Sequence, residues 1–310
     1  MSKIDITILT DHRYLESSYD DQYSQNVVDE DYMLFHALEK KGLKVHRTNW
    51  DDPNFDWTST EFIIFRTIWD YFERYKEFAS WLEAVCTETK LINEKSLIYW
   101  NIDKHYLEDL DQKGVRIPNT RFIETGDLRS LEEVVGTLDW DEFILKPSIS
   151  GGSRHTYRFK PERAHKHSEV YKELISEESM LLQEFQNQIL TKGEIACVVY
   201  GGKYSHSILK QGKDGDFRVQ DDFGGTVTKY EPDEEVIRFV EQAIEACDPK
   251  PIYARVDIIW NNEDELCIGE LELIEPELWF RFHEPSVDQC AQAVIDYMKT
   301  MPSSLVKDLN

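Results

Sequence analysis

Within the first hundred residues, short apolar runs alternate with amphipathic stretches, and this rhythm restricts the chain more than any other feature. Ile4–Leu9 alternates apolar and polar residues as a strand does, and a polar loop is expected through Asn26. Asp29–Lys41 then carries apolar residues at helical spacing and ends at Gly42, a good C-terminal stop. Lys44–Arg47 and Phe62–Phe65 are short β-type runs, Tyr71–Cys86 reads as an amphipathic helix, and Lys90–Ile92 as a further strand. Strand–helix–strand succession of this kind predicts a parallel sheet flanked by helices.

The texture changes further on. A helix over Lys104–Lys113, ending at Gly114, is followed by strands at Arg121–Ile123, Phe143–Lys146 and Thr156–Phe159. From Met180 the pattern becomes richer in strands: Met180–Phe185, Glu194–Tyr200, Tyr204–Lys210, Tyr253–Trp260 and Glu265–Ile274. Gly201-Gly202 and Asn261-Asn262 fit hairpin connections between them. Helices are expected at Glu234–Cys247 and Val287–Thr300. The fold class is therefore α/β, becoming α+β towards the C-terminus, in three parts with soft boundaries: residues 1–100, 101–185 and 186–310.

Sixty acidic against thirty-five basic residues give a net charge of −25. A field of that sign repels phosphate backbones and anionic lipid, which argues against nucleic-acid or membrane-surface partners. Nothing approaches the roughly 20 apolar residues that cross a bilayer, and the N-terminus lacks a signal-peptide pattern, so a cytoplasmic setting is expected. Five scattered cysteines without a CxxC pair read as reduced thiols. The histidines form no nucleophile or metal pattern.

Five segments carry chemistry. In Phe143-Ile-Leu-Lys-Pro-Ser-Ile-Ser-Gly-Gly-Ser153 a strand delivers Lys146 just before a small-residue loop, and glycines let backbone N–H groups approach an anion. The lysine precedes the glycines, so this is no Walker A loop, and taken alone it also fits an ordinary hairpin. Strand alternation puts Arg255 and Asp257 on one face, and Glu270 and Glu272 on one face of the next strand. Carboxylates gathered so closely suit Mg²⁺, although the solvent face of an acidic hairpin would look the same. Leu182-Gln-Glu-Phe185 and Glu194 offer a strand edge and an acid, and the polar loop Gly212–Gly225 carries Arg218, suited to clamping carboxylate or phosphate. Finally, Arg66-Thr-Ile-Trp-Asp70 follows a strand where open α/β sheets expose a ligand crevice. Arg66 would pair with a substrate carboxylate, and Trp69 and Asp70 would shape a pocket, unless they cap and pack a helix.

The order of these parts resembles that of the ATP-grasp superfamily over nearly the whole chain. Phe65-Arg-Thr-Ile-Trp-Asp-Tyr71, Trp100-Asn-Ile-Asp-Lys104, Gly215-Asp-Phe-Arg-Val-Gln220 and Glu270-Leu-Glu-Leu-Ile-Glu-Pro276 look like its glutathione-synthetase-type branch, within the group containing the cyclo-ligase of D-cycloserine biosynthesis. The resemblance implies an ATP-grasp fold: an N-terminal Rossmann-like pre-ATP-grasp domain for the substrate, a small subdomain with the lid loop, and a large one with the metal and phosphate site. It implies ATP and two Mg²⁺ ions. Lys104, Lys146 and Lys210 would contact the nucleotide, Ser150, Gly151, Gly152 and Ser153 would form the lid, Glu184 and Phe185 would frame adenine, and Glu194 would hold ribose. Asp257, Glu270 and Glu272 would hold the metal ions, and Arg255 and Arg218 would act catalytically on the acyl phosphate. Many superfamily members have Asn where Glu272 stands. The implied activity is an ATP-dependent carboxylate–amine ligation of a small substrate. A kinase-like phosphotransferase and a non-catalytic nucleotide-binding protein are the alternatives. Dimers are common among such proteins, so a homodimer is one expectation.

Overall fold

The computed structural model describes residues 3–213, 217–219 and 224–301. Its N-terminal part holds β1 (Ile4–Thr10), α1 (Gln22–Lys40), β2 (Val45–Asn49), β3 (Thr60–Thr67), α2 (Tyr75–Val85) and β4 (Lys90–Ile92). The four strands form a wholly parallel sheet in the order β2-β1-β3-β4. The chain leaves β1 to one side for β2 and returns on the other for β3. The crevice at such a reversal opens beyond the C-terminal strand ends, after Thr10 and Thr67.

The helices α3 (Lys95–Ile102) and α4 (Tyr106–Gln112) lead into a second sheet, antiparallel, in the order β5-β8-β6-β7. It comprises β5 (Thr120–Ile123), β6 (Phe143–Pro147), β7 (Tyr157–Phe159) and β8 (Met180–Glu184), with α5 (Leu131–Val135) and α6 (Ser168–Ile175) packed on one face. After the short α7 (Ile189–Lys192) comes the third sheet, also antiparallel, in the order β11-β10-β9-β12-β13. Its strands are β9 (Glu194–Tyr200), β10 (Lys203–Gln211), β11 (Thr226–Tyr230), β12 (Tyr253–Trp260) and β13 (Leu266–Glu272). The helix α8 (Glu234–Glu245) packs on one face, where Phe239 and Val240 meet Val256 and Ile258. The last helix, α9 (Pro285–Thr300), lies against α1, so that Ile6, Ile8 and Leu34 share one core with Val198, Tyr253 and Val294.

Both expected hairpins are present, and β9, β12 and β4 have the expected limits. Two departures have clear causes. The helix expected from Asp29 begins at Gln22, because Asp21 accepts a hydrogen bond from the Ser24 N–H at 2.8 Å and Gln22 and Gln25 each bond four residues ahead. Its polar first turns are capped rather than unstructured. The unexpected α3 buries Leu97, Ile98, Asn101 and Ile102, leaving no polar stripe to mark its period. No helix among the described residues is long and apolar enough to cross a membrane.

Candidate active site

A cavity of about 600 Å³ lies between the three sheets. Alternation on β6 buries Phe143 and Leu145 in the core of the second sheet and turns Ile144 and Lys146 to the cavity. On β12 the same alternation sends Val256 and Ile258 inward and Arg255 and Asp257 to the cavity wall. Register then pairs Arg255 with Glu272 and Asp257 with Glu270 across β12 and β13, while Lys210 of β10 faces Glu194 of β9. The distant acids and bases thus meet on one floor.

Ion pairing there is dense. The Arg255 guanidinium donates to both oxygens of Asp257 at 2.9 Å and also to Glu272. Lys210 pairs with Glu194 and, at 3.0 Å, with Asp257. Lys104 pairs with Glu270 at 3.0 Å and donates to the Ser150 carbonyl at 2.5 Å, tying the floor to the Ser/Gly loop. Lys146 makes no ion pair among the described residues, and burial pulls its ammonium down to about 8. Burial raises Asp257, but Arg255 and Lys210 outweigh it and hold the carboxyl down at about 2. For Glu272 burial wins over Arg255 and pushes the carboxyl up to about 8.

The loop itself packs closely. A Cβ on Gly151 would come within 2.6 Å of Phe72, so only glycine permits this approach of the second sheet's loop to the N-terminal part. Arg154 pins the loop's far end to Glu178 at 2.7 Å. Ser150, Gly151, Gly152 and Ser153 all line the cavity.

Most of the expected site residues come together here: Lys104, Lys146, Lys210, Glu184, Phe185, Glu194, Arg218, Arg255, Asp257, Glu270, Glu272 and Trp69 line the same space. Of the Arg218 loop, residues 214–216 and 220–223 lie outside the described residues. Glu184 and Phe185 line the cavity with their backbone engaged within the fold. Their backbone N–H groups already donate, at 2.9 Å each, to the carbonyls of Asn119 and Glu142. Their carbonyls accept as well, from the Gln186 amide at 2.8 Å and the Asn262 amide at 3.1 Å.

Arg66 and Asp70 are not brought to the cavity. Arg66, 0% exposed, donates to Glu30 at 2.6 Å and to the Pro276 carbonyl at 2.9 Å, with Asp31 at 3.8 Å. Asp70 accepts from the indole of Trp50 at 2.7 Å and from Arg74 at 2.8 Å. Both are committed to packing the N-terminal part. Trp69 does line the cavity, and its indole donates to the Glu275 carbonyl at 3.0 Å. Sequence reasoning passed over Tyr14, Tyr71, Phe72, Gln186 and Glu275 as site residues. They sit at strand ends or just beyond, where no periodicity marks them. No histidine lines the cavity.

Mg²⁺ commonly takes one or two carboxylates and completes its shell with phosphate oxygens and water. Asp257, Glu270 and Glu272 offer the right oxygen donors, all on one wall of the cavity. The described residues alone form no three-ligand cluster ready for a metal, since each acid is engaged by Lys104, Lys210 or Arg255. The donor set therefore fits a cation that arrives with phosphate oxygens.

The chain belongs to the RimK-like ATP-grasp family, whose domain model matches residues 106–273, and it is by class an ATP-grasp ligase. Residues 6–93 match the model of the N-terminal domain of D-cycloserine synthetase DcsG. The cycloserine biosynthesis protein DcsG of Streptomyces lavendulae is 27% identical over 277 residues, covering 86% of this chain and 93% of that protein. The crystal structure of D-cycloserine synthetase DcsG superposes with a TM-score of 0.83 at 25% identity, over 95% of this chain and 99% of that one. The ATP-grasp ligase PsnB, complexed with minimal precursor, Mg and ADP, shares the fold at a TM-score of 0.59 and 14% identity, over 95% and 98% of the two chains.

Proposed function

We propose that the protein joins a carboxylate to an amine through an acyl phosphate, on a small amino-acid-like or peptide-like substrate, releasing ADP and phosphate. The observation that supports this most directly is the convergence of Lys104, Lys146, Lys210 and Arg255 with Asp257, Glu270 and Glu272 in one cavity beneath a Ser/Gly loop. In this reading Lys104 and Lys146 hold the triphosphate, and Glu194 takes ribose hydroxyls. Asp257, Glu270 and Glu272 would hold two Mg²⁺ ions, which when bound supply charge neutralisation at the phosphates.

A carboxylate is a poor electrophile. Attack of its oxygen on the γ-phosphorus forms a carboxyl–phosphate bond as the bond to ADP breaks, and the acyl phosphate then has a good leaving group. Nitrogen attack expels phosphate and leaves an amide-type bond. Arg255 and Arg218 face the charge that grows on the transferring group. The protein mainly aligns reactants, and positioning of this kind is worth roughly 7–11 kcal/mol. The loop at Ser150–Ser153 keeps water from the acyl phosphate. In the same reading the chain divides near residues 100 and 185 into a substrate part, a lid part and a phosphate part, acts in the cytoplasm, and is open to homodimer formation.

ADP release with Mg²⁺, screened over amino acids and their derivatives, tests the proposal. Productive compounds should yield inorganic phosphate in step with ADP, and hydroxylamine should trap a hydroxamate. Phosphate retained on the acceptor would make the protein a phosphotransferase. Nucleotide binding without turnover would leave it a binding protein.

A further inference from the structure

Besides the ion-paired floor, the cavity lining takes in Tyr14, Tyr23 and Trp69 of the N-terminal part, and Glu275 beside Trp69. The other acids of the cavity wall are all engaged except the exposed Glu73. Asp257, Glu194, Glu270 and Glu272 pair with Lys210, Lys104 or Arg255, Glu277 pairs with Arg281, and Glu184 accepts from Asn119 and Asn262. Glu275 forms no ion pair among the described residues. Its backbone is nonetheless held in place, because the Trp69 indole donates to its carbonyl at 3.0 Å.

We propose that Glu275 receives the protonated nitrogen of the substrate and takes its proton as that nitrogen attacks. This rests on the ligase reading above. An anionic side chain without its own cation, walled by aromatic rings, selects a small primary ammonium group and repels a carboxylate. Substrate is thereby oriented, with its carboxylate towards Arg255 and its nitrogen towards Glu275. In the step itself an ammonium proton passes to Glu275, and the freed lone pair forms the C–N bond. The C–O bond to phosphate breaks, and the departing phosphate takes the second nitrogen proton.

The surroundings suit that task. Burial and the facing Glu270 raise the Glu275 carboxyl to about 7, against the opposing influence of Lys104 and the Tyr71 hydroxyl. Glu272 faces the same group from β13. A proton acceptor poised near neutrality can both accept and release its proton within a cycle.

Ethylammonium is the direct probe. With a non-hydrolysable ATP analogue and Mg²⁺ present, it should move the carboxyl ¹³C signal that Glu275→Gln removes, and propionate should not. An unmoved signal, or equal ethylammonium affinity in Glu275→Gln, overturns the proposal. In turnover, Glu275→Gln should lose about 10²-fold or more with the ammonium substrate of fastest ADP release. Trapping by hydroxylamine, uncharged at neutral pH, should fall less than turnover with the ammonium substrate, and Glu275→Asp should recover part of the loss. Equal loss with both nucleophiles would make Glu275 merely structural. Absence of any hydroxamate from the wild type would fail the ligase reading instead, while the ethylammonium signal would still decide the subsite.

Discussion

Arg66 and Arg255 are each buried between two carboxylates, yet they stand in different kinds of place. Arg66 lies on β3, buried along its whole length, and Glu30 accepts from the Leu278 N–H with the oxygen that meets Arg66 and from the Phe280 N–H with the other. The group is closed on itself, to the point that the Arg66 Nε and Asp31 Oδ1 find no hydrogen-bond partner. Arg255 lies on a strand with one face in a core and the other on a cavity, and the Glu272 side chain remains 25% exposed. The pairing chemistry is alike; access separates a cluster that locks elements together from one able to exchange partners with a ligand.

The sharpest way to break this contrast is to remove each arginine. Arg66→Ala leaves Glu30 in the interior without its cation, while Asp31 keeps Arg47, and should lower stability by about 3–5 kcal/mol. Thermal and denaturant unfolding would measure it, with nucleotide affinity of the folded fraction unchanged. Arg255→Ala should instead cut turnover about 10²- to 10³-fold while nucleotide affinity moves by less than about threefold. Unchanged turnover would remove its assigned role.

Lys146 sharpens the picture at smaller scale. Lys146→Ala should weaken nucleotide binding about tenfold, near 1.4 kcal/mol, as read by calorimetry. The pH dependence follows from the same side chain. The folded protein releases the Lys146 proton near pH 8, the unfolded chain near 10.5. Burying the charged form therefore costs stability below about pH 8, and that cost is relieved as pH rises between the two values. Phosphate needs the ammonium, so nucleotide affinity should fall above pH 8, by at most about tenfold per pH unit. Binding there should take up a proton, visible as a heat that depends on the buffer's ionisation enthalpy.

Much of the phosphate floor was legible because strand alternation is a two-residue rule: once Arg255 and Asp257 share a face, and Glu270 and Glu272 another, pairing β12 with β13 brings them together. The same rule could not separate Arg66 from Arg255. Whether a strand face meets a core or a cavity depends on what packs over it, and here α1 and the stretch after Pro276 close over Arg66. Glu275 was passed over for a related reason. It lies beyond the end of β13, outside any alternation, and becomes conspicuous only when its neighbours are seen to be neutralised.

Tyr71 and Phe72 are consecutive and line the same cavity as Glu275, and the Phe72 ring packs against Gly151. In the proposed ligation, a nucleophile settling beside Glu275 would lie near the same short piece of backbone that packs under the Ser/Gly loop. Its arrival and the exclusion of water would then be a single mechanical event, sparing the energy-rich intermediate while its partner is absent.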